Sequence, residues 1–446
     1  MARMLFIILL AFLAAVGAAW LADNPGRAVI DWNGWRLETT AAILALLLLL
    51  AVAVLLIVFR LTVWLLRDTP FAPERRRERR QRKGAVAVNL ALTALAAGRI
   101  RDAHRQAEEG MRLLGPTPIT LLLRARAAEM KRDNHGVHEA LVALAGREDG
   151  GLIGYKALLV RALAAKDLKE AKRLLLEAAA RDPEAPWVDE ASFEIAAREG
   201  HWEEARQHLK ALRASHLISD ADAKRLDGTL AFLIARDADL SGKSNDTLRL
   251  AREALRGDPR LTPAAVLAAR AARRDGRATA ADDLLTAAWR ERPHPDLVAA
   301  ALEGYENETA AARYRRIVDF VKTAPEAEES RLARAAAAIE CGHWQDARRD
   351  LAAAIKDTPS SRAFELMAMV EEGQSSDRAA AAGWRDKAAG APAERRWMCG
   401  SCGSARDHWV ARCPSCGSFA THDWRRGEEG PLSFAGQGNR VLPDLL

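Results

Sequence analysis

Every residue from Ala41 to Phe59 is alanine, leucine, isoleucine, valine or phenylalanine, and after Arg60 the apolar character resumes from Leu61 to Leu66. A helix of this length spans the hydrocarbon core of a bilayer, so this stretch reads as a transmembrane segment. A second apolar stretch, Met4–Leu21, is also long enough to cross. Its alternative reading is a cleaved signal peptide, because small residues cluster at Ala15–Ala19. Both readings give the same topology. From Arg60 to Lys83 there are nine basic residues and three acidic ones, which accounts for the whole net charge of +6, whereas Ala22–Thr40 carries three acids and two arginines. The positive-inside rule puts the Ala22–Thr40 loop outside and everything after Lys83 in the cytoplasm. The arginine run has no interleaved aromatic residues and lies where lipid headgroups should be. It therefore reads as a contact with anionic lipid, and no nucleic-acid partner is expected.

From Gly84 onward, small residues recur at helical spacing. Ala205 follows Gly200 by five positions, with Leu209 and Leu212 on the same face. Ala171, Ala281 and Ala347 each follow a Lys or Gly (Lys166, Gly276, Gly342) by five and precede a proline (Pro183, Pro293, Pro359) by twelve. They are accompanied by Leu175 and Ala178, by Leu285 and Ala288, and by Leu351 and Ala354. Ala171 and Ala205 are 34 residues apart, Ala103 lies twice that distance before Ala171, and Thr247 lies 34 before Ala281. Val137, Leu141 and Leu144 form a degraded copy. A helix-turn-helix unit of 34 residues, with alanines at close crossings, resembles the tetratricopeptide repeat. An irregular helical solenoid is the alternative. Aromatics make up only 6% of the chain and charged residues 28%, in keeping with long helices. Such arrays present a groove to protein partners and seldom carry catalytic machinery. His104, His135, His138, His201 and His343 fall on different units without metal or triad spacing, and no catalytic residue is assigned. The abundant Arg–Glu and Arg–Asp pairs read as exposed support along single helices.

Four of the five cysteines lie together as Cys399-x-x-Cys402-Gly403 and Cys413-x-x-Cys416-Gly417. Each pair puts two thiolates on one tight turn, and two such knuckles complete a closed tetrahedral site of structural type. In a reducing compartment the four bind metal in preference to forming two disulfides. Zinc is the expected ion, with iron in a rubredoxin-like site as the alternative. His408 and His422 are not needed as ligands. A unit this small takes much of its folding energy from the metal, and Trp397, Trp409, Phe419 and Trp424 are expected to pack around the knuckles. The lone Cys341 sits beside Gly342 in a repeat turn and reads as a small packed residue.

The overall expectation is an all-α protein with two transmembrane helices, a TPR-like solenoid and a small four-cysteine zinc-ribbon or rubredoxin-like module. The divisions are a membrane anchor at 1–67, a basic juxtamembrane segment at 68–83, repeats at 84–375, a linker with a short helix at 376–396, the knuckle at 397–426 and a tail at 427–446.

The segment Trp20-Leu-Ala-Asp-Asn-Pro-Gly26, followed by Asp31, Trp32, Trp35 and Glu38 between two apolar helices, resembles the N-terminal region of the HemY family of bacterial inner-membrane proteins. Trp397-Met-Cys399 through Trp424 is similar to the terminal knuckle of some of its members. The resemblance implies a multi-pass inner-membrane scaffold associated with late haem or porphyrin synthesis, with membrane-associated biosynthetic enzymes as partners. No residue marks a porphyrin or flavin site, and there is no G-x-G-x-x-G fingerprint. The arrangement of anchor, repeats and knuckle is also similar to LapB-like adaptors, which couple a lipopolysaccharide-synthesis enzyme to a membrane protease. Nothing in the sequence marks an oligomeric state.

Overall fold

The computed structural model describes residues 26–32, 34–67, 73–392 and 394–427, together with residues 12, 16, 19 and 20. Apart from those four residues, the expected first transmembrane helix, Met4–Leu21, lies outside the described part, as does the tail beyond 427. Two compact units divide the chain, Met1–Ala140 and Leu141–Leu446.

In the first unit, much of the expected Ala22–Thr40 loop is a hairpin. Strands β1 (Arg27–Trp32) and β2 (Trp35–Thr40) pair antiparallel from Arg27↔Thr40 to Trp32↔Trp35. Gly34, at φ +86°, supplies the left-handed residue in the turn. β2 leads straight into helix Ala41–Arg67, whose 27 residues extend about 40 Å at 1.5 Å each. Within it Ala42–Val63 has a mean hydropathy of 3.4, and no residue of that stretch is buried against protein. Among the described residues this is the one helix long and apolar enough to cross a membrane.

The basic collar and the first repeat helix are parts of one continuous helix, Pro73–Ala96, so the boundary expected at 83/84 falls inside it. Pro73 suits a first helical position, where no amide partner is lost. Residues 76–83 are exposed, whereas Ala87, Ala91 and Ala94 are buried. A Cβ added to Gly84 would lie 2.4 Å from Leu114 Cγ, so the glycine leaves room for the Leu114 side chain.

The repeat register read from the alanines is observed. Ala103, Ala171, Ala205, Ala281 and Ala347 are all fully buried, as is Thr247, and Val137 is nearly so. In the second unit, pairs such as Pro186–Glu199 with Trp202–Ala214, and Thr262–Arg274 with Ala278–Glu291, form the antiparallel hairpins of a TPR-like array. One register detail differs. Leu174, three residues after Ala171 and four before Ala178, takes the buried position, and Leu175 is only half-buried. The segment expected as linker contains helix Arg378–Ala389, which packs on Ser361–Ser375 as the partner of a final pair, with Trp384 stacked on Phe364 at 6.0 Å.

Many ion pairs link neighbouring helices and are not confined to single exposed faces. Arg206 donates to both carboxylate oxygens of Asp227 at 2.8 and 2.9 Å and to Glu253 at 2.6 Å. Arg334 bridges to Asp350 at 2.9 and 3.0 Å. The lone Cys341 caps helix Glu328–Glu340, half-buried, with its sulfur 3.5 Å from the Ala338 carbonyl oxygen.

Candidate metal centre

Three short strands carry the cysteines. β3 (Arg396–Cys399) lies between β4 (Ala405–Arg406) and β5 (His422–Arg425), antiparallel to both, with Trp397 opposite Trp424 and Cys399 opposite His422. The two knuckle turns are alike. Cys399 N–H donates to the Ser404 carbonyl and Gly403 N–H to that of Cys399; Cys413 and Gly417 do the same with Ser418 and Cys413. Gly403 and Gly417 sit at φ +72° and +75°, where a side chain would be strained.

The sulfurs of Cys399, Cys402, Cys413 and Cys416 all lie within 4.8 Å of one another. Cys399 Sγ is 3.7 Å from Cys416 Sγ, and Cys402 Sγ is 3.7 Å from Cys413 Sγ. A tetrahedron with zinc–sulfur bonds of about 2.3 Å requires sulfurs about 3.8 Å apart, so this donor set fits such an ion. The spacing is far beyond a disulfide bond, and all four thiols are free. Hydroxyl groups ring the sulfurs: Ser404 Oγ is 3.3 Å from both Cys402 and Cys413, Ser418 Oγ 3.1 Å from Cys416, and Thr421 Oγ1 3.3 Å from Cys399. Burial works against charge on Cys413, but the hydrogen bonds from Ser404 and the backbone at Cys416 and Ser415 outweigh it and bring the thiol down to about 6. Burial pushes Cys416 up to about 11 against the opposing hydrogen bond from Ser418. The low pKa of Cys413 favours the thiolate that a metal requires.

Of the aromatics expected to pack around the knuckles, Trp397 and Trp424 meet at 5.6 Å within the small sheet, and all four also lie against the repeats. Phe419, almost fully buried, meets Phe193 edge-on at 6.0 Å and Trp202 at 6.4 Å, and Trp409 meets Phe232 edge-on at 5.4 Å. Trp397 and Trp424 pack on His294 at 5.2 and 4.2 Å. A four-thiol site is held by bonds to the metal and needs no aromatic core, so these rings gain more from burial against helices. Polar contacts accompany them. Arg412 donates to Glu194 at 2.8 Å and to the Gly417 carbonyl at 2.6 Å, and Arg225 donates to the Ala420 carbonyl at 2.6 Å. Arg292 pairs with Asp423 at 2.5 Å, and Arg426 with Glu328 at 2.7 Å. The knuckle thus sits along the first helices of four pairs, Pro186–Glu199, Asp220–Leu240, Pro295–Leu302 and Glu328–Glu340.

His294 is the contact that sequence reasoning missed. It caps helix Pro295–Leu302 by accepting from Asp296 N–H at 3.0 Å. Burial, reinforced by Arg292, lowers its pKa from 6.5 to about 3, so it is neutral in the folded chain. Unfolding lets it take up a proton below pH 6.5, so its contribution to stability is complete above that pH and is lost progressively on acidification towards pH 3. His294→Gln is therefore expected to flatten the pH dependence of melting between pH 6.5 and 5.5, an interval over which the native residue costs about 1 kcal/mol. Parallel melting curves for the two proteins across that range would contradict this role.

A long apolar helix, an array of antiparallel helix pairs and a four-thiol knuckle seated on that array define a tetratricopeptide-like repeat protein with a candidate metal centre. Residues 26–132 match the family described as HemY protein N-terminus, as the Trp20–Glu38 signature and the following helices led us to expect. The chain is 28% identical over 430 residues to a probable magnetosome protein, Mms48, of Magnetospirillum gryphiswaldense, covering 94% of this chain and 93% of that one. Among solved structures it is similar to PilW, a type IV pilus biogenesis factor, with 19% identity and TM-score 0.28 over 49% of this chain and 98% of that one. A tetratricopeptide repeat protein from Parabacteroides merdae gives 14% identity and TM-score 0.28 over 54% and 92%. At scores this low, the repeat character rests on the chain's own helix pairs.

Proposed function

We propose that this chain is a membrane-anchored, non-enzymatic scaffold that gathers membrane-associated enzymes of late haem synthesis. The single observation that carries the reading is the HemY N-terminal match over residues 26–132, which joins the membrane-length helix to the first repeats. The helical-repeat architecture supports partner binding over catalysis. Cys399, Cys402, Cys413 and Cys416 hold a structural zinc, with iron as the alternative; a colourless protein supports zinc and visible thiolate–iron absorption supports iron. The anchor crosses the bacterial inner membrane twice, and the arginines of Pro73–Ala96 keep the repeats and knuckle in the cytoplasm.

A second reading is favoured by one observation, the knuckle seated directly on the repeats. In it the chain is a LapB-like adaptor that brings an envelope-synthesis enzyme to a membrane protease. Affinity capture of the full chain from crosslinked membranes separates the two. Enrichment of haem-pathway enzymes is the expected result. A protease together with lipopolysaccharide enzymes would favour the second reading, and a bound flavin or turnover of a porphyrinogen would overturn both.

A further inference from the structure

The residues that attach the knuckle to the repeats are interleaved with its metal ligands. Arg412 immediately precedes Cys413, and Phe419 and Ala420 lie three and four residues after Cys416. Arg412 is held in place from inside the knuckle, through the Gly417 carbonyl and a bridge to Phe419, while Ala420 N–H donates to the Ala411 carbonyl at 2.6 Å. The loop that meets Glu194 and Phe193 is thus shaped by the Cys413–Cys416 turn itself. The strands are only four, two and four residues long, so the metal supplies much of the energy that folds this module.

The face beneath has the character of a binding surface. Phe193 and Phe232 lie on it, Trp202 lies beside them, and two carboxylates, the buried Glu194 and the half-buried Glu328, are closed over by arginines. Arg198 also donates to Glu194, at 2.6 Å, so that charge stays compensated when Arg412 leaves. No disulfide ties the knuckle down; it is joined to the last helix, which ends at Ala389, only by residues 390–395. A short tether gives a detached knuckle a high effective concentration for re-docking.

We propose that this aromatic and acidic face is an interaction surface that the chain's own metal knuckle occupies as a tethered plug, and that withdrawal of the metal vacates it. The vacated face fits a partner segment that presents an arginine next to an aromatic ring, as Arg412 and Phe419 do. The inference rests on the metal-centre reading above and specifies which part of the scaffold is regulated.

The test is hydroxyl-radical footprinting of the full chain in lipid nanodiscs, read by mass spectrometry at Phe193, Trp202 and Phe232. Labelling is measured with metal bound, after removal by a chelator, and after zinc is restored. We expect several-fold greater labelling of the three residues without metal, reversed by zinc, while Trp289 and Phe320, packed together elsewhere in the array, stay protected. Arg412→Glu, which places like charge against Glu194, should expose the same three residues with the metal still bound. Unchanged protection in the metal-free chain, or in R412E, overturns the plug. Purified chain that carries no metal overturns the metal reading itself, and the metal content measured at the outset reports that separately.

Discussion

Phe419→Ala is expected to release the knuckle from the repeats while leaving the metal bound. The ring is almost fully buried, lies between Phe193 and Trp202, and has the Arg412 guanidinium 5.4 Å from its centroid. Truncating a buried phenylalanine costs about 3–5 kcal/mol, so the docking equilibrium should fall by roughly a hundredfold or more. Phe419 lies outside both Cys-x-x-Cys turns, so its loss should spare the sulfur cluster. Limited proteolysis is the readout: cleavage within residues 390–395 should become much faster, at an unchanged metal content. Equal cleavage rates for the variant and the native chain would show that the aromatic contacts do not hold the knuckle.

Cys413→Ser should have a larger effect and a different signature. Cys413 is buried, its sulfur is 3.7 Å from that of Cys402, and hydrogen bonds from Ser404 and the backbone favour its thiolate against the effect of burial. Structural zinc contributes on the order of 10 kcal/mol to the folding of small modules, and a serine hydroxyl is a poor substitute for one of four thiolates. The variant should lose its metal, unfold the knuckle and expose its aromatic residues. The repeat helices should remain folded, since their core is built from residues such as Ala281, Leu285 and Trp289. A variant that keeps a full equivalent of metal would rule out a four-thiolate site.

The repeat array was legible because its physical requirement is local and periodic. A close helix crossing needs a small residue, so the alanines at 103, 171, 205, 281 and 347 mark the packing face directly. The knuckles were legible for a similar reason, since two thiolates and a glycine on one turn have few other uses. What could not be read was where the knuckle sits. Arg412 and Glu194 are 218 residues apart, and each looks like an ordinary charged residue on its own. His294 carries no signal beyond its place before Pro295, and Phe232 reads as one more core residue of its helix. The sequence shows aromatics beside the cysteines but not the neighbours they share: Trp409 meets Phe232, and Trp397 and Trp424 meet His294 as well as each other. The hairpin at Arg27–Thr40 was hidden because its two strands are short and its tryptophans have a simpler explanation at a membrane interface. The short helix expected in the linker is Arg378–Ala389; that it completes a pair was not legible, because only its buried Ala381 and the stacking of Trp384 on Phe364 show it.

The metal content of the purified full-length chain, determined by elemental mass spectrometry alongside thiol titration, bears most directly on a repeat scaffold capped by a metal-held knuckle. The expected result is one zinc per chain with four thiols shielded until the metal is removed. Metal-free protein with four freely reactive thiols, or with two disulfides, would contradict it.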